Sequence, residues 1–78
     1  MPSVEKIIQK MKSQPNGIRR EEAEKVLAAY GFNHLRQRGS HRSYRNASGE
    51  MLVLVDESPL KAVYVKDVLK RIGSKELL

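Results

Sequence analysis

The sequence predicts an α+β fold of order α-α-β-β-β-α, a three-stranded antiparallel sheet with its helices on one face. Three observations carry that prediction. Apolar residues recur at helical spacing near both ends of the chain, the middle third replaces that spacing with short strand-forming runs, and glycine-containing turns separate those runs.

Val4, Ile7, Ile8 and Met11 fall at i, i+3, i+4 and i+7, the stripe of an amphipathic helix. Ser3 is placed to cap it, with Lys6 rather than Glu at the third position, so no full capping box is expected. The turn formers of "SQPNG" then make Ser13 to Gly17 a loop. The stripe returns at Ala23, Val26, Leu27 and Tyr30, and Glu21, Glu22 and Glu24 crowd the first turns, where the helix dipole favours negative charge. Gly31 is placed to stop this second helix as a C′ residue.

Beyond Gly31, "FNHLRQR" and "SHRSYRN" flank Gly39, and "EMLVLVDE" follows the turn sequence "NASG". These read as an antiparallel meander. Val65, Val68, Leu69 and Ile72 restore the helical stripe, with Pro59 ahead of it and Gly73 placed to follow it. Three strands alone would leave an apolar face wet, so the helices are expected to cover one side and leave the other free.

Composition bounds the function. The chain has 78 residues and no cysteine, which points to one domain over residues 1–78 without covalent staples and excludes thiolate zinc clusters and a thiol nucleophile. No metal site and no cofactor are expected. The charged amphipathic start lacks a signal-like apolar region, and no run approaches the roughly 20 apolar residues of a membrane span. A cytoplasmic protein without a membrane partner is expected. Fifteen Lys and Arg against nine Asp and Glu give a net charge of +6, as expected of a domain that meets a polyanion, although small basic domains of other kinds share it.

The stretch "RQRGSHRSYR" sets His41 among Arg36, Arg38, Arg42 and Arg45. Side chains alternate along a strand, so Arg42 and Tyr44 point one way and His41, Ser43 and Arg45 the other. Tyr44 is the only large apolar body in this strand and should face the helices, which puts His41 on the open face. An RNA phosphodiester can be cut without a metal when a base removes the 2′-hydroxyl proton, an acid protonates the leaving oxygen and cations stabilise the added charge on phosphorus. Histidine suits either proton-transfer role. The four arginines are candidates for the cationic role, arginine being fitted to bidentate phosphate contact. Gly39 permits a tight turn, and Ser40 is a candidate for holding a phosphate or the histidine. Lys66, with Lys61, Lys70 and Arg71, either extends an RNA footprint or belongs to a solvated helix face.

His34 is a candidate second acid/base whose fate depends on register. A two-residue turn at Arg38 and Gly39 would pair Arg36 with His41 and His34 with Ser43, gathering both histidines on one face. A three-residue turn would put Gln37 opposite His41. The run "MLVLV" is apolar on both faces, which fits either a partner-binding surface or simple strand propensity. A non-catalytic RNA-binding domain fits the same residues, whereas a DNA-binding helical module fits less well because the basic residues concentrate on a strand.

"GFNHLRQRGSHRSYR", then "MLVLV", then "VYVKDVLKRIG" resembles the HicA toxins of HicA–HicB toxin–antitoxin modules, with the family's Gly-Ser-His standing as Gly39, Ser40 and His41. The likeness covers residues 20–73 as a family core, and residues 1–13 form an additional N-terminal helix. It implies a fold like the double-stranded-RNA-binding domain, an mRNA-cleaving toxin whose catalytic histidine is His41, and a HicB-like antitoxin that covers the site. The chain departs from the family where many members carry a further His after the third strand. Asp56 of "VDE" stands there instead. Arg42 and Ser43 also replace the His and apolar residue that often follow the family histidine.

Overall fold

Ser3 opens the first helix as the sequence requires, its hydroxyl accepting from the Lys6 amide at 3.3 Å. The computed structural model, which describes residues 3–57 and 59–76, contains α1 (Val4–Ser13), a 3-10 turn (Pro15–Gly17), α2 (Arg20–Ala29), β1 (Asn33–Arg38), β2 (His41–Arg45), β3 (Met51–Val55) and α3 (Ala62–Glu76). This is the expected α-α-β-β-β-α order, and the strands form one antiparallel sheet in the order β1-β2-β3.

The apolar stripes meet in one core. Ile7, Ile8 and Met11 of α1, Ala23, Val26 and Leu27 of α2, and Val65, Val68 and Ile72 of α3 are buried together with Tyr44, Leu52 and Leu54 from one face of the sheet. Burying each of these leucines contributes about 1.5–3 kcal/mol. The loops close over the same core through Ile18, Phe32 and Leu60, and the Leu60 amide donates to the Ile18 carbonyl at 2.8 Å. The first helix is therefore part of the core.

At the start of α2, the Glu22 carboxylate accepts from the Arg19 amide at 3.0 Å. Arginine has no acceptor of its own, so this is half of a capping box. Gly31 ends α2 with φ +88°, as its place after the stripe predicted. "NASG" forms the β2–β3 turn, with φ +87° at Gly49 and the Asn46 side chain accepting from the Glu50 amide at 2.9 Å. The expectation that Gly73 follows the last helix is corrected. It lies inside α3 without a positive φ, and nothing at that point obliges the helix to stop.

The β1–β2 register differs from both sequence alternatives. The turn is Gly39–Ser40, Arg38 pairs with His41, Gln37 with Arg42 and Arg36 with Ser43. Positive φ at Gly39 but not at Ser40 fits the first central position of a type II′ hairpin turn. The register then shifts between His34 and Arg36, with Leu35 as the extra residue of a β-bulge and His34 opposite Tyr44. In a regular strand His34, Arg36 and Arg38 would share a face. The bulge turns His34 over.

Candidate functional site

Tyr44, Leu52 and Leu54 face the helices, so pleating sends the intervening residues to the other side of the sheet. That open face gathers Arg36 and Arg38 from β1 with His41, Ser43 and Arg45 from β2, and Met51, Val53 and Val55 line them along β3. His41 occupies the centre row, with Arg38 across on one side and Val55 on the other. It is exposed, as are Arg36, Arg38 and Arg45. Among the described residues no side chain pairs with any of these three guanidinium groups, and none engages the imidazole of His41. Three exposed guanidinium groups on one face with an exposed imidazole make a surface suited to a polyanion.

The remaining candidates fall elsewhere. Arg42 lies behind the sheet, where its Nη2 is 3.0 Å from Glu24 Oε2, its Nε donates to the Tyr44 hydroxyl at 3.2 Å and its Nη1 donates to Gln37 Oε1 at 2.7 Å. Strand alternation separates it from His41 by one residue and from the open face by the thickness of the sheet. Arg42 is thus held on the helix side by Glu24, Tyr44 and Gln37 and does not join Arg36, Arg38 and Arg45 on the open face. His34 is also on the helix side, its ring tilted against Tyr44 with centroids 5.7 Å apart. The two histidines do not share a face. Ser40 sits in the turn, with its carbonyl accepting from the Asp56 amide, and Gly39 takes φ +59° as a turn glycine. Lys66 is exposed on α3, in the helical layer rather than on the open face. Of its basic neighbours, Arg71 stands 3.7 Å from both Glu50 and Asp67.

Sequence reasoning missed Glu24, which it treated as one of three acids favouring a helix N-terminus. Glu24 Oε2 also accepts from the Tyr44 hydroxyl at 2.6 Å, and Oε1 accepts from Arg20 Nη1 at 2.9 Å. Burial pushes its carboxyl up, but the Tyr44 hydroxyl and the charges of Arg42 and Arg20 outweigh that, and the net direction is below the ordinary value. Tyr44, buried and bonded to that carboxylate, has its phenol pushed up to about 12. The only signal in the sequence was a carboxylate on the face of α2 one residue from Ala23. Arg20 is its i−4 neighbour on the same helix, but its strand partners Arg42 and Tyr44 lie 18 and 20 residues away and become visible only once the strands are placed.

Among the described residues no three His, Cys, Asp or Glu side chains converge in a group able to hold a metal ion, and no helix is long and apolar enough to cross a membrane. The family model described as "HicA toxin of bacterial toxin-antitoxin" matches residues 20–74. The chain belongs to the HicA toxin family. That membership gives it a toxin's role and an antitoxin for a partner. No curated protein and no solved structure matches it. The HicA match runs from the first residue of α2 to near the end of α3 and so includes the whole sheet, while α1 precedes it.

Proposed function

We propose that this HicA toxin is a metal-independent endoribonuclease that cleaves mRNA and so arrests translation, with His41 as general acid or base. One observation carries the reading. His41 stands exposed in the centre row of an open sheet face, directly across from Arg38 and on the same face as Arg36 and Arg45, and among the described residues no side chain engages any of the four. Arginines two residues apart on a strand lie roughly 6.6–6.8 Å apart, close to the spacing of successive phosphates on an RNA strand. Arg36 and Arg38 thus suit neighbouring phosphates, and a phosphate on Arg38 meets the imidazole.

Cleavage then follows the route available to RNA. The 2′-hydroxyl oxygen attacks the adjacent phosphorus as its proton is removed, the bond to the 5′-oxygen breaks and that oxygen is protonated, leaving a 2′,3′-cyclic phosphate and a 5′-hydroxyl. His41 performs one of the two proton transfers, and Arg38 stabilises the charge that builds on the equatorial oxygens. A single positioned acid or base supplies roughly 10²–10⁴-fold, which suits a slow growth-arresting toxin. A double-stranded-RNA-binding-domain-like architecture, a single domain with α1 added to the family core, and action in the cytoplasm belong to the same reading. So does a HicB-like antitoxin seated on the open face, where Met51 and Val53 are 45% and 40% exposed.

His41→Ala tests the assignment. Cleavage and growth arrest should be lost while affinity for uncleaved RNA stays close to that of the wild type. If binding falls in parallel with cleavage, His41 is a contact residue of a non-catalytic RNA-binding domain.

A further inference from the structure

We propose that Glu24 of α2 is the positioning residue for His41, fixing from behind the sheet the two-residue turn that leads into it. The inference rests on the reading of His41 given above. It is drawn from two arms of contacts that begin at this one carboxylate and end on the two carbonyls of the turn. In the first arm, Glu24 Oε2 holds Arg42 Nη2 at 3.0 Å, Arg42 Nη1 holds Gln37 Oε1 at 2.7 Å, and Gln37 Nε2 donates to the Gly39 carbonyl at 2.9 Å. In the second, Glu24 Oε1 holds Arg20 Nη1 at 2.9 Å, Arg20 Nε holds Asp56 Oδ1 at 2.8 Å, and the Asp56 amide donates to the Ser40 carbonyl.

Two-residue hairpins otherwise depend on the turn alone for their tip geometry, and tips are where strands fray. Here both peptide carbonyls ahead of His41 are tied to one partly buried charge on a packed helix. The Tyr44 hydroxyl, 2.6 Å from Glu24 Oε2, fixes the carboxylate against the core face of the same strand. Glu24 never reaches the open face, so it acts on His41 only through these ties. Asp56 serves the second arm, with its carboxylate committed to Arg20 on the side away from the imidazole.

Glu24→Gln and, independently, Gln37→Ala in the full chain test this by two readouts. Gln37 is exposed, so its truncation breaks the first arm without opening the core. The first readout is amide hydrogen exchange. The Asp56 amide reports the bond to Ser40 directly, and the amides of Arg38 and His41 report the hairpin tip. The second is steady-state cleavage of a short single-stranded RNA. Exchange should rise at the tip while α1 and α3 amides keep their protection, and kcat should fall by up to roughly 10²-fold, the scale on which a displaced catalytic group loses rate, with KM unchanged. The double variant should lose less than the product of the single losses, because Gln37→Ala breaks an arm that Glu24→Gln has already loosened. The proposal is overturned if the tip amides and kcat match the wild type, or if exchange rises uniformly through the core, which would make Glu24 a stability residue only. If the wild type cleaves no RNA, the functional reading fails instead, and exchange at the tip alone decides whether Glu24 fixes the turn.

Discussion

His41 and Arg38 are neighbours only because the turn is Gly39–Ser40, and that adjacency separates Arg38 from the other cations of the open face. Arg45 lies four residues along β2 from His41, roughly 13 Å at strand rise, and can hold a flanking phosphate but not the one under attack. Truncation should therefore split the arginines kinetically. Arg38→Ala is expected to lower kcat by roughly 10²–10³-fold, the loss seen when a donor to a developing charge is removed. Arg45→Ala should chiefly raise KM, because it removes an interaction that ground state and transition state share. Steady-state cleavage of one RNA by the two variants checks this. Arg42, four residues from Arg38, belongs to neither class because its guanidinium is committed to Glu24, Tyr44 and Gln37.

The β1–β2 hairpin concentrates the elements that sequence periodicity could not resolve. Gly39 holds φ +59° with open space where a Cβ would stand, so the conformation rather than a clash makes it a glycine. Gly39→Ala is expected to cost about 1–2 kcal/mol, read as a lowered midpoint in urea without a change in slope. The helical stripes, the face of Tyr44 and the glycine at the end of α2 were all legible, since each follows from local spacing. The bulge at Leu35 was not. A strand of period two gives no sign of where one extra residue is absorbed, and on that residue depended whether His34 joined His41 or turned to Tyr44. The commitment of Arg42 was half legible: alternation put it with Tyr44, but its partner Glu24 sits on a helix 18 residues earlier and no local pattern announces it.

At the scale of the whole molecule, charge is divided between a free face and a paired one. Glu22, held by the Arg19 amide and Lys10, and Glu24, held by Tyr44, Arg42 and Arg20, join α2 to α1 and to the sheet, and in both these partners outweigh burial so that the carboxyl falls below its ordinary value. Their contribution to stability is therefore complete above the pKa of an unfolded glutamate, about 4.3, and is lost as pH falls through the lowered folded values. Urea unfolding repeated from pH 7 down to pH 3 should show that decline, and Glu24→Gln should flatten it. The free face makes a separate prediction. Arg36, Arg38 and Arg45 neutralising three phosphates of a single strand give a slope of about −2 for log K against log salt. Removing any one of them should reduce that slope by about 0.7, and Arg42→Lys should leave it unchanged, since the Arg42 guanidinium is engaged behind the sheet by Glu24, Tyr44 and Gln37.

The most direct test of the account is cleavage of a defined single-stranded RNA by the purified wild-type protein in EDTA, followed from pH 5 to 9 with the product ends identified. The account predicts cleavage that persists without divalent metal, leaves 2′,3′-cyclic phosphate ends, and varies in rate with pH because a proton-transfer group takes part. Cleavage that stops in EDTA, or products carrying 5′-phosphate ends, would contradict it, because neither can come from His41 and the arginines of the open face alone.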